Sequence, residues 1–125
     1  MTVAADSSSL IAHFNDMPGE DVHRLRAALA SGQLVLPPVV LTEVLSDPGV
    51  DAFMEENLEQ IVRLDLREGY WTRAGQSRRL LLAKGLKARV GDALIAQACI
   101  DHDVALITRD RDFRHFAEHC GLRLA

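Results

Sequence analysis

The sequence predicts an α/β fold built on a central, mainly parallel sheet with helices on both faces. Short apolar runs such as Leu34-Val35-Leu36 and Val104-Ala105-Leu106-Ile107-Thr108 show no alternation of polar and apolar residues. That pattern belongs to strands buried on both faces, as parallel strands are. Between these runs lie longer segments with helix start and stop signals, so strand and helix alternate. At 125 residues, with no internal repeat, low-complexity tract or linker, the chain is expected to be one domain spanning residues 1–125.

The first strand is expected at about Thr2–Ala5, feeding a helix from near Ser7 with Asp6 or Ser7 as its cap. Pro18-Gly19-Glu20-Asp21 opens a second helix through about Ala30, its acids favoured by the helix dipole. Ser31-Gly32 ends it, and the strand Leu34–Leu36 is stopped by Pro37-Pro38. Val39–Leu45 has the β-branched residues of a strand, but Pro38 suits a helix start and sets Val39, Thr42 and Glu43 on one side. We read it as a helix. A helix over Val50–Leu58, a strand over Ile61–Leu64 and a basic amphipathic helix over Thr72–Ala83 follow. Asp92–Ile100 is expected as a helix capped by Asp92, then strand Val104–Thr108, helix Asp112–His119 and a short strand Leu122–Leu124.

Composition narrows the function. Hydrophobic residues at 48% and charged residues at 26% fit a soluble globular protein rather than a disordered one. No apolar run approaches the ~20 residues of a membrane helix, and no basic-then-apolar N-terminal pattern marks a signal peptide. Cys99 and Cys120 are too few for a disulfide framework and are expected as reduced thiols in the cytoplasm. A net charge of −4 argues against a protein that coats nucleic acid indiscriminately. The segment from Gly69 to Gly91, however, holds Arg73, Arg78, Arg79, Lys84, Lys87 and Arg89 and no acid. It leads directly to Asp92, so it reads either as a solvated helix face or as a guide for a polyanion.

Four acids stand at junctions between elements. Asp6 follows the first strand, Glu43 interrupts an apolar stretch, Asp92 follows Gly91, and Asp110 follows the strand ending at Thr108. Singly, Asp6 and Asp92 could cap helices, Asp110 and Asp112 could form turns, and Glu43 could point outward. Asp6 and Asp110 fall where open α/β sheets build their sites, beyond the carboxyl ends of strands, and Asp92 and Glu43 sit near helix starts that could face the same edge. Carboxylates gathered at one point repel, so either some are protonated or a cation sits among them. The cation is the favoured reading.

Four segments in order carry a further signal: Asp6-Ser7 with Ser9-Leu10-Ile11, Leu36-Pro37 with Val40-Leu41-Thr42-Glu43-Val44-Leu45, Gly91-Asp92-Ala93-Leu94-Ile95-Ala96 and Leu106-Ile107-Thr108-Arg109-Asp110-Arg111-Asp112-Phe113. In these the chain resembles the PIN-domain nucleases, and most closely the VapC-type toxins of bacterial toxin–antitoxin pairs. The resemblance implies a PIN-like three-layer α/β/α fold. It also implies Mg²⁺- or Mn²⁺-dependent cleavage of RNA, with Asp6, Glu43, Asp92 and Asp110 in the places of the family's metal-binding acids. Thr108 matches the hydroxyl residue two before the last acid, and Asp112 an acid often found there. Asp6 and Asp92 are assigned as direct ligands, with Glu43 and Asp110 holding a second ion or metal-bound waters, since Mg²⁺ usually keeps several waters. Whether one ion binds or two is left open. Lys87, Arg89 and Arg109 are the candidates for phosphate contacts. The resemblance further implies a homodimer restrained by an antitoxin.

Other chemistries fit less well. His115 and His119 lack the order of a metalloprotease motif and have no paired cysteines to complete a zinc site. No nucleophile elbow surrounds Ser7–Ser9, and no glycine-rich phosphate loop is present. Tyr70 and Trp71 could stack on a base or pack the interior. A receiver-like signalling domain would need adjacent acids after the first strand and a lysine after the last; Asp6 stands alone and no lysine follows Thr108. A housekeeping RNA-processing nuclease and a non-catalytic binding domain remain as alternatives to a toxin.

Overall fold

A computed structural model describes all residues, 1–125. In chain order the elements are β1 (Val3–Ala5), α1 (Ser7–Phe14), α2 (Glu20–Ala30), β2 (Leu34–Leu36), α3 (Pro38–Leu45), α4 (Ala52–Glu59), β3 (Val62–Arg63), α5 (Tyr70–Ala83), α6 (Val90–His102), β4 (Ala105–Ile107) and α7 (Phe113–His119). The strands form one parallel sheet in the order β3-β2-β1-β4. The architecture is the three-layer α/β/α fold expected. Burial explains the apolar strand sequences: Ala4, Ala5, Leu34, Val35, Leu36, Leu106 and Ile107 are all in the core.

Register decides where the site lies. Ala5 pairs with Ile107, and the Asp6 amide donates to the Ile107 carbonyl at 3.1 Å, so β1 and β4 end side by side. From β1 the chain first moves outward to β2 and β3, then returns to add β4 on the other side of β1. The ends of β1 and β4 therefore flank the point where strand order reverses, which is where open α/β sheets leave a crevice.

Most elements match the expected ones to within a residue or two, and the departures have local causes. α3 is helical despite its valines, because Pro38 fits the first turn and Val40 and Val44, four apart, are both buried in the core. α6 begins at Val90, two residues before the expected start, and Asp92 does not cap it. The extended cap residue is Arg89, whose carbonyl accepts the Ala93 amide at 3.0 Å; Asp92 lies inside the first turn and is free for another task. α5 starts at Tyr70, where Gly69 turns the chain in the left-handed region (φ 82°). β3 shrinks to two exposed residues at the sheet edge. The expected strand Leu122–Leu124 is reduced to a single parallel bridge between Leu106 and Leu124.

The core joins the two halves of the chain. Phe113 and Phe116 from α7 are fully enclosed with Leu10, Leu36, Leu58, Leu81, Ile95 and Leu106. α5 lies along α6, fastened by the Tyr70 hydroxyl donating to the Leu94 carbonyl at 2.6 Å. Tyr70 thus serves packing, whereas its neighbour Trp71 is exposed.

Candidate metal centre

Asp6 is the most deeply placed of the acids, 2% exposed. As the cap of α1 it accepts the Ser9 amide on Oδ1 at 3.0 Å, while its Oδ2 accepts the Ser8 hydroxyl at 2.8 Å and the Thr108 hydroxyl from across the β1–β4 junction. Burial raises its pKa, and these donors together oppose the rise. Thr108 has a second role: its oxygen accepts the Asp110 amide at 3.0 Å. One hydroxyl therefore ties Asp6 to the loop that carries Asp110 and Asp112. In that loop Asp110 accepts the Asp112 amide at 2.9 Å, the turn geometry anticipated for these aspartates.

The second group centres on the first turn of α6. One carboxylate oxygen from each of Asp92, Asp110 and Asp112 lies within 4.8 Å of the others. Asp92 is 9% exposed, and its Oδ2 is buried with no hydrogen-bond partner. Its pKa is pushed up to about 6, by burial first, then by repulsion from Asp110, Glu43 and Asp112, with Arg89 opposing. Glu43 reaches this group from α3. Its Oε1 accepts the Ser7 hydroxyl, and its Oε2 sits 2.7 Å from where a β-carbon on residue 91 would be. Glycine at 91 makes that approach possible.

The donor set fits a hard divalent cation. Ligands at about 2.1 Å span oxygen pairs up to roughly 4.2 Å apart, so small side-chain rotations would bring the three aspartates onto one ion. A buried carboxylate oxygen without a partner is costly, and a cation held among the neighbouring carboxylates would supply that partner. Asp112, assigned only a supporting place from sequence, lies inside this set; Asp6 lies next to it, its oxygens already engaged.

The basic residues are distributed differently from their order in the sequence. Arg109 forks onto Asp21 of α2 at 2.8 and 3.0 Å and donates to the Pro18 carbonyl at 3.0 Å. Asp21 also accepts the Ser9 hydroxyl at 2.9 Å, and the Arg109 guanidinium holds its carboxyl down at about 2. Arg109 is thus committed to bracing the loop after β4 against α2, at the expense of contacting phosphate. Lys87 is paired with Asp112 at 3.1 Å. Within the basic segment, Arg73 is bound to Asp101 and Arg78 to the Ala88 carbonyl. Arg89 keeps its side chain free at the start of α6. Sequence reasoning missed Ser7, Ser8 and Asp21; the hydroxyls stood beside Asp6, but Asp21 carried no signal beyond a helix start.

The PIN domain family model matches residues 3–119. The chain belongs to the PIN-domain family. PIN domains are nucleases that use divalent metal ions. No curated protein matches the chain. Among solved structures, this PIN domain is similar to one described as VapBC2 from Rickettsia felis bound to a DNA fragment from their promoter. The identity is 20% and the TM-score 0.71, over 100% of this chain and 98% of the other. It is also similar to FitAcB from Neisseria gonorrhoeae, with 19% identity and a TM-score of 0.66 over 98% and 96% of the two chains. At such identities the likeness establishes a shared fold.

Gly91→Ala tests the arrangement with a single methyl group. That methyl meets only the end of the Glu43 side chain, so Glu43 should swing away while the fold persists. The expected result is a melting temperature within about 2 °C of wild type and several-fold weaker Mn²⁺ binding by titration calorimetry. Unchanged Mn²⁺ affinity would remove Glu43 from the site.

Proposed function

We propose that this PIN domain is a Mg²⁺- or Mn²⁺-dependent endoribonuclease, and that it serves as the VapC-type toxin of a toxin–antitoxin pair. The observation that carries the reading is the convergence of Asp92, whose Oδ2 is buried without a partner, with Asp110 and Asp112 near the reversal point of the sheet. Asp92, Asp110 and Asp112 would hold the cation, with Asp6 beside them. A divalent cation there supplies charge to neutralise the acids, to polarise a phosphodiester and to activate a water. Glu43, held by the Ser7 hydroxyl, would serve as the base that takes a proton from the attacking water. Thr108 keeps Asp6 and the Asp110 loop in fixed relation.

The similarity to VapBC2 and FitAcB supports the toxin assignment, with an antitoxin as protein partner; a homodimer is the proposed working form. No helix is long and apolar enough to cross a membrane; the proposed place of action is the cytoplasm, on single-stranded or looped RNA. Sequencing RNA ends after brief induction tests both activity and target. New 5′ ends should appear with wild type and be absent with Asp92→Asn, and growth arrest should be relieved by co-expressing a cognate antitoxin. The same ends in both proteins would refute cleavage by this site.

A further inference from the structure

An open cleft of about 260 Å³ lies beside the acidic group, lined by Thr108, Arg109, Asp110, Arg111, Arg114 and Leu124. Asp110 belongs to both, so the cleft opens directly onto the candidate metal centre. Of its three guanidinium groups, that of Arg109 is committed to Asp21 and Pro18. Arg111 and Arg114 are exposed and make no side-chain hydrogen bond or ion pair with the protein. They are neighbours across a turn, the Arg114 amide donating to the Arg111 carbonyl at 3.1 Å.

We propose that Arg111 and Arg114 form a phosphate subsite that binds the RNA backbone next to the bond being cut. The inference rests on the nuclease reading above. Its physical basis is a balance of charge. A chain of net charge −4 that gathers carboxylates at one point repels a polyanion, and a cation neutralises that repulsion only at the scissile phosphate. The adjoining phosphate needs its own donors. Lys87, Arg73 and Arg78 already have protein partners, so the basic segment before Asp92 offers fewer free charges than its composition suggests. Two free guanidinium forks that line the cleft with Asp110 supply what is needed, in a form that suits phosphate oxygens and no particular base. Leu124 gives one apolar wall, exposed enough to face a sugar or base.

The test is the kinetics of Arg111→Ala/Arg114→Ala on a fluorescent single-stranded RNA with Mg²⁺ present, across a series of salt concentrations. We expect kcat/KM to fall about tenfold or more at ~0.1 M salt, mainly through KM. The slope of log(kcat/KM) against log salt should become shallower by about 0.7 for each phosphate the variant no longer neutralises. The double lysine variant should recover most of the slope, and Mn²⁺ affinity should be unaltered in both. Arg63→Ala, at the opposite edge of the sheet, should match wild type. Wild-type cleavage with an unchanged slope in the double alanine variant would overturn the subsite while sparing the nuclease reading. Failure of wild type to cleave any RNA would remove both.

Discussion

Asp92→Asn is expected to lower RNA cleavage by about 100- to 1,000-fold, the scale seen when one preorganised electrostatic group is removed from a site. The amide keeps the shape of the carboxylate and deletes its charge. Asp92 is not the cap of α6, so the helix start is undisturbed. The carboxylate oxygen concerned has no donor in the protein, so no hydrogen bond is broken. Loss of activity would then report on the metal site alone. Removing one of several mutually repelling charges should leave the melting temperature in EDTA equal to or above that of wild type. Undiminished cleavage by a folded Asp92→Asn protein would end the assignment of this cluster as the catalytic centre.

Divalent cations should stabilise the protein in a pH-dependent way, and the sign follows from Asp92. Its folded-state pKa is about 6 against an ordinary value of 3.8, so between those values the folded state holds more proton than the unfolded state. Stability from this group is therefore fully present below about pH 4 and lost as pH rises through about 6. Above pH 6 the charged carboxylate is a liability that a cation reverses. Saturating Mn²⁺ at about 100 times its Kd contributes about 2.7 kcal/mol, which corresponds to roughly 8–12 °C in melting temperature for a chain of this size. The shift should be large at pH 7.5, small at pH 4.5, and absent in Asp92→Asn. Thermal melts in EDTA and Mn²⁺ at the two pH values provide the measurement; an equal shift at both would disconnect the ion from these acids.

Much of the fold is legible in the sequence because its signals are local. Buried strands advertise themselves by unbroken apolar runs, and Pro38 announces a helix start. The start of α6 is legible only to within two residues for a related reason. An aspartate before an apolar run looks like a cap, and only backbone conformation shows that Arg89 holds that position. The final strand is overestimated from sequence because three apolar-rich residues suffice for propensity but not for a ladder at a sheet edge.

What the sequence determined by itself was the inventory: a parallel α/β sheet, acids at the ends of elements, and a charge conflict that calls for a cation. These follow from residue types and short-range spacing. Tertiary structure decided the pairings. It placed Asp112 among the cation-facing oxygens, surrounded Asp6 with hydroxyl and amide donors, and turned Glu43 toward Gly91. It also committed Arg109 to Asp21, 88 positions away in the chain, while leaving Arg111 and Arg114 free. Which charges neutralise one another depends on distances across the fold, and the order of residues along a chain does not contain those distances.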